Sequence, residues 1–114
     1  MTTLSQQTNI ASAIDAVRAA ENLLRQQINA ANDSLSAMKL SNEFNNLDSF
    51  LSELLQAQNA ADDTSFTNAT QALQAHVTGL QADEATIKKI VEDIKIAAEI
   101  ISYITQALAF IAKL

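Results

Sequence analysis

From Ile10 onward the apolar residues recur at alternating steps of four and three. Ile10, Ile14, Val17, Leu24, Ile28, Ala31, Leu35 and Met38 fall on one seam, interrupted only by Glu21. That spacing marks one face of an α-helix and predicts a first helix over residues 8–38, with Thr8 or Asn9 capping its first turn. Residues 1–7 carry no periodicity and are expected to be disordered. Two signals compete for the end of this helix. Asn32-Asp33-Ser34 is a cluster of turn formers, whereas the seam keeps its phase through Met38 and slips only before Leu40. Weighted by periodicity, the break falls at 39–41.

A second helix is predicted over 42–59, capped by Ser41, with Phe44, Leu47, Leu51 and Leu54 as its seam and Phe50 and Leu55 widening it. Asp62-Asp63-Thr64-Ser65 offers four residues able to cap the next helix. That third helix is predicted over 65–78 and buries Phe66, Ala69 or Thr70, Leu73 and Val77. Gly79 stands where a left-handed terminating residue is expected, and Asp83 is positioned to cap a fourth helix over 84–113.

The fourth helix changes character along its length. In Ile87 to Asp93 only Ile87, Ile90 and Val91 are apolar, an arc of about 100°. Beyond Ile94, read in sevens, Ile94, Ile101 and Leu108 share a column, as do Ala97, Ile104 and Ile111, then Ile96, Tyr103 and Phe110, and then Ile100, Ala107 and Leu114. These columns span roughly 200°, against a narrow polar strip of Lys95, Glu99, Ser102, Gln106 and Lys113. One side of a small core needs about half that arc, so Ile96, Ile100, Tyr103, Phe110 and Leu114 form a second apolar face that something must cover.

The resulting expectation is all-α: an up-and-down bundle of four helices in a single domain spanning 1–114. Its first and last helices are about 30 residues long and its middle pair 15 to 19. The shorter pair cannot sheathe the longer one. Glu21 is expected to reach solvent by a slight rotation that brings Ala20 into the seam; the alternative is a buried ion pair with Arg18 or Arg25, one turn away on either side.

Composition reinforces the helical reading. There is no Pro, one Gly and no Cys among 114 residues, and Ala, Leu, Gln and Glu all favour helix. Without cysteine, disulfides, thiol chemistry and thiolate zinc sites are excluded. The net charge of −6 disfavours nucleic acid and anionic lipid as electrostatic partners. Its distribution is uneven: no Lys or Arg occurs between Lys39 and Lys88, a stretch that holds Glu43, Asp48, Glu53, Asp62, Asp63, Asp83 and Glu84. Such a single-sign stretch is able to steer a basic partner, but a solvated acidic surface that keeps an apolar chain dispersed is the expected reading. Met1 to Ile10 has neither a basic nor an apolar signal region, so a cytoplasmic protein, or one exported without a cleaved signal peptide, is expected.

Catalytic signatures are lacking. His76 is the only histidine; it cannot supply the paired Glu-x-x-His motifs of a di-iron bundle, and no nucleophile elbow accompanies it. Asp62-Asp63, Asp83-Glu84 and Glu92-Asp93 look like helix caps or solvated faces, and one glycine cannot make a phosphate loop. No catalytic residue, cofactor or metal is expected. The sequence points instead to a non-enzymatic helical interaction module that self-associates or binds a partner helix through Ile96, Ile100, Tyr103, Phe110 and Leu114. Two other readings compete with it. Residues 94–114 are long enough to engage a membrane, or the fourth helix is simply the central core helix of a monomer.

Overall fold

The computed structural model describes residues 3–114, and helix is the only regular structure in it. Five helices form among the described residues: α1 (Leu4–Ala30), α2 (Ser34–Gln58), α3 (Asp63–Ala75), α4 (Val77–Ile90) and α5 (Ile94–Ala112). The fold class is therefore all-α, with five helices where periodicity suggested four.

In a chain this rich in helix formers, the caps decide where helices begin. Thr3 opens α1 with a reciprocal pair: Gln6 N donates to Thr3 Oγ1 at 3.1 Å, and Thr3 N donates to Gln6 Oε1 at 3.0 Å. Residues 4–7 are thus the first turn of α1, not a disordered segment, and neither Thr8 nor Asn9 caps it; Met1 and Thr2 lie outside the described residues. Three aspartates start the later rods. Asp33 accepts from Ser36 N at 2.7 Å, Asp62 from Ser65 N at 2.7 Å, and Asp93 from Lys95 N at 3.0 Å and Ile96 N at 3.2 Å.

The first reversal accordingly falls at 31–33, earlier than the phase slip implied. Ala31 is extended, and Asp33, not Ser41, caps α2. Leu35 and Met38, which continued the α1 seam by spacing alone, belong to the start of α2 and are 56 % and 55 % exposed. A seam read across a reversal is a coincidence of spacing, because the two sides of a turn no longer share a helix axis.

Gly79 does not end a helix. It lies inside α4, and no residue described has a positive φ. The junction there is His76, whose φ of −98° and ψ of 3° bend the chain between α3 and α4 without a loop. Asp83, expected as a cap, is mid-α4. The change of face at Ile94 is in fact a chain reversal, with Val91 extended and Asp93 starting α5. Periodicity alone joins two helices of different amphipathicity into one.

The helices pair in opposite senses. Glu21 and Arg25 of α1 lie beside Asp48 and Phe44 of α2. Asn46 Nδ2 donates to Asp83 at 3.2 Å and Glu53 meets His76 at 2.7 Å, so α3 and α4 together return along α2. Thr105 Oγ1 donates to Glu84 at 2.9 Å, turning α5 back along α4, and Gln6 of α1 reaches the carbonyl of Leu114 at 3.5 Å. At 27, 25, 13 with 14, and 19 residues, these rods are better matched in length than the sequence suggested, in a body of 49 × 21 × 20 Å. One continuous core runs through it. Ile10, Val17 and Leu24 from α1 meet Leu47 and Leu54 from α2, Leu73, Leu80 and Ile87 from α3 and α4, and Ile100, Ile104 and Ile111 from α5.

Two substitutions test this assignment of caps. Asp93→Ala removes the oxygen that serves both Lys95 N and Ile96 N and is expected to cost about 1 kcal/mol in urea denaturation. Gly79→Ala places a methyl where nothing lies within 4 Å and should stabilise by about 0.5 kcal/mol as a helix-interior exchange; were Gly79 a left-handed terminator, the same change would destabilise.

Candidate interaction surface

α5 buries a stripe of Ala97, Ile100, Ile104, Ala107 and Ile111 and leaves an apolar border on each side of it. On the border toward α4, Ile101 and Leu108 are half-buried against the core. On the border toward α1, Ile96, Tyr103, Phe110 and Leu114 are half-buried as well. Of the five residues expected to form the second face, Ile100 lies wholly in the core, because α5 is rotated so that the 97–100–104–107–111 stripe points inward. The other four line the α1–α5 seam. There Tyr103, Gln106 and Phe110 meet Ser12, Asp15 and Ala16 around a shallow groove of about 260 Å³. Ala16 is the reason the groove exists, since a larger side chain at that point of α1 would fill it. Lys113 sits over the Phe110 ring, 5.6 Å from its centre, so its ammonium is held at the rim by the ring face.

A second apolar area lies at the end of the molecule where the 31–33 and 91–93 reversals adjoin. Leu35 and Met38 lie uncovered at the start of α2, and Ile94, at the start of α5, is 83 % exposed. By length and composition α5 is able to cross a membrane, and 28 % of that apolar stretch is buried inside the chain.

A larger groove, of about 570 Å³, separates α2 from α4. Small residues Ser49, Ala75, Gly79 and Ala82 open it over a floor of Phe50 and Leu80. Glu53 and His76 join at one end, and Asn46 and Asp83 at the other. His76 is thus exposed and paired with a carboxylate, at the bend between two helices.

Glu21 departs from expectation. It is 5 % exposed, within the seam alongside a buried Ala20. Arg18 and Arg25 lower its affinity for a proton, but burial and the neighbouring Asp48 carboxyl outweigh them and push its pKa up to about 7. Arg25 is occupied elsewhere, over the Phe44 ring at 5.1 Å. Glu43 is a second buried carboxyl, 7 % exposed. Burial and then Asp83 push its pKa up to about 7, against a hydrogen bond from Asn46. The sequence carried a signal for Glu43 that was missed: it occupies the seam of α2 between Leu40 and Leu47 at steps of three and four, just as Glu21 occupies that of α1.

Compared with family models, curated proteins and solved structures, the chain matches none.

The two classes of α5 residue should separate in denaturation experiments. Ile104→Ala, at a site with no exposure, is expected to cost about 2–5 kcal/mol. Phe110→Ala, on the half-open border, should cost about 1–2 kcal/mol; equal losses would mean that Phe110 is core.

Proposed function

We propose that the protein is a non-enzymatic helical interaction module that self-associates or receives a partner helix along the α1–α5 seam. Its frame is an up-and-down bundle of four rods, the third bent at His76, a reading supported by the antiparallel pairings of α1 with α2, α2 with α3 and α4, α4 with α5, and α5 with α1. One observation carries the functional reading. α5 is the most apolar helix of the chain, yet 28 % of its apolar stretch is buried, and its open border includes both of its aromatic residues. Interfaces concentrate their energy in central aromatic and aliphatic anchors surrounded by polar rim groups. Tyr103 and Phe110 answer to the anchors, and Asp15, Gln106 and Lys113 to the rim. Ile100 takes no part in this face; it fixes the rotation of α5 that presents the other four.

The same helix supports a second reading, engagement with lipid. Its 19 residues approach the span of a bilayer core, although its polar strip lacks the Lys and Arg richness of interfacial helices.

Light-scattering mass at tens of micromolar separates these readings. The interaction reading predicts an oligomer, or capture of an added apolar helix, that Phe110→Glu abolishes while helicity is retained. A strict monomer that binds no helical peptide and co-sediments with neutral liposomes would favour the lipid reading instead.

A further inference from the structure

α2 is flanked by two carboxyl contacts of the same kind. On its α1 side, Glu21 meets Asp48; on its α4 side, Glu43 meets Asp83. Both glutamates are more than nine-tenths buried, and each leaves one buried oxygen, Oε1 of Glu21 and Oε2 of Glu43, with no hydrogen-bond partner. Asp48 is exposed and Asp83 half-buried, so the cost falls on the two glutamates: a buried carboxylate beside a second carboxyl is disfavoured, and a proton on it removes the buried charge and supplies a donor to the neighbouring aspartate.

We infer that α2 is held by two proton-sharing carboxyl pairs, Glu21 with Asp48 and Glu43 with Asp83, so that the bundle tightens in acid and α2 loosens from α1 and α4 as the pairs lose their protons. This is independent of what α5 binds.

The surrounding charges do not cancel the effect. Glu21 has Arg18 and Arg25 on its own helix, but burial and Asp48 prevail over both. From α5, packed on the other side of α1, the antiparallel register brings buried Ile100 level with Glu21, while Lys95 and Glu99 are exposed. Around Glu43, α1 offers Arg25, which lies over Phe44. From α4, besides Asp83, come Glu84, engaged by Thr105, and exposed Lys88 and Lys89. Asn46 donates to Asp83, which binds that carboxyl in its charged form, yet burial still raises the pKa of Asp83.

The sign follows from proton linkage. Glu21 and Glu43 are raised from 4.5 to about 7, so the folded chain binds more protons than the unfolded chain between those values. The stabilisation they provide is complete below about 4.5 and is lost as pH rises through about 7. Asp33 and Asp62 act oppositely. Their amide hydrogen bonds lower their pKa below 3.8, so the caps lose their contribution only in stronger acid. Stability should therefore peak on the acid side of neutrality.

The test is urea denaturation followed by helicity at pH 5 and pH 8, in a His76→Gln background so that the readout belongs to the carboxyl pairs. The folded-to-unfolded ratio should fall at least tenfold for each pair, and so at least a hundredfold in all. Glu21→Gln with Glu43→Gln should remove that difference and be more stable than its parent at pH 8. If the double variant does not fold, Asp48→Asn and Asp83→Asn should each reduce the difference. Amide exchange in the parent chain should show protection around residues 43–54 of α2 falling more than that of α3 between pH 5 and pH 8, after correction for intrinsic exchange. Equal stability at the two pH values, greater stability at pH 8, or a pH difference that survives in the variants would overturn the inference.

Discussion

A glutamate buried beside a second carboxyl favours its protonated form, and α2 makes two such contacts, through its Asp48 with Glu21 and through its own Glu43 with Asp83. Its seating matters because α2 touches every other helix except α5. Leu47 and Leu54, both without exposure, tie α1 to the α3–α4 rod through the core. If α2 shifts outward at Glu21 and Glu43, the contacts between Leu24, Leu47 and Leu80 loosen with it. The acidic middle of the chain is therefore more than a solubilising surface: three of its seven carboxylates take part in these pairs, Glu43 buried, Asp83 half-buried and Asp48 exposed.

The frame around this constraint is set by three aspartates. With no proline and one glycine, nothing in the backbone chemistry forces α1, α2, α3–α4 and α5 apart; Asp33, Asp62 and Asp93 do so by taking the first free amides of the following helix. α3 and α4, by contrast, are separated only by the bend at His76, where no side chain caps the new helix. Three junctions thus span three or four residues and end on a capping aspartate, whereas the fourth is the single residue His76.

The all-α class and most of the core were legible from periodicity. The seams of Ile10 to Leu24, Leu47 to Leu54, and Phe66 to Leu73 are all buried. Capping chemistry, and not phase, marks the helix ends. The α1 seam ran on through Leu35 and Met38 because a three-residue reversal, by chance, preserved the heptad count, whereas Asn32-Asp33-Ser34 marked the true turn. The wide face after Ile94 was real, but its onset signalled a new helix. Of the proposed face, Ile96, Tyr103, Phe110 and Leu114 stand on an open border and Ile100 does not, a distinction of about 40° to 80° around α5 that depends on which stripe the core selects. Glu21 is visible as a charged residue in an apolar seam; Glu43 becomes one only once α2 is extended back to Ser34. Their partners Asp48 and Asp83 are not visible, since they come from other helices at a register only the packing determines.

Carbon-13 detected NMR of glutamate side chains reads the protonation of Glu21 and Glu43 site by site. The Glu21 and Glu43 carboxyl resonances are expected to titrate with midpoints near 7. Midpoints near 4.5 for both would mean that they are ionised in the fold at neutral pH with no penalty, and would contradict proton sharing in the two pairs.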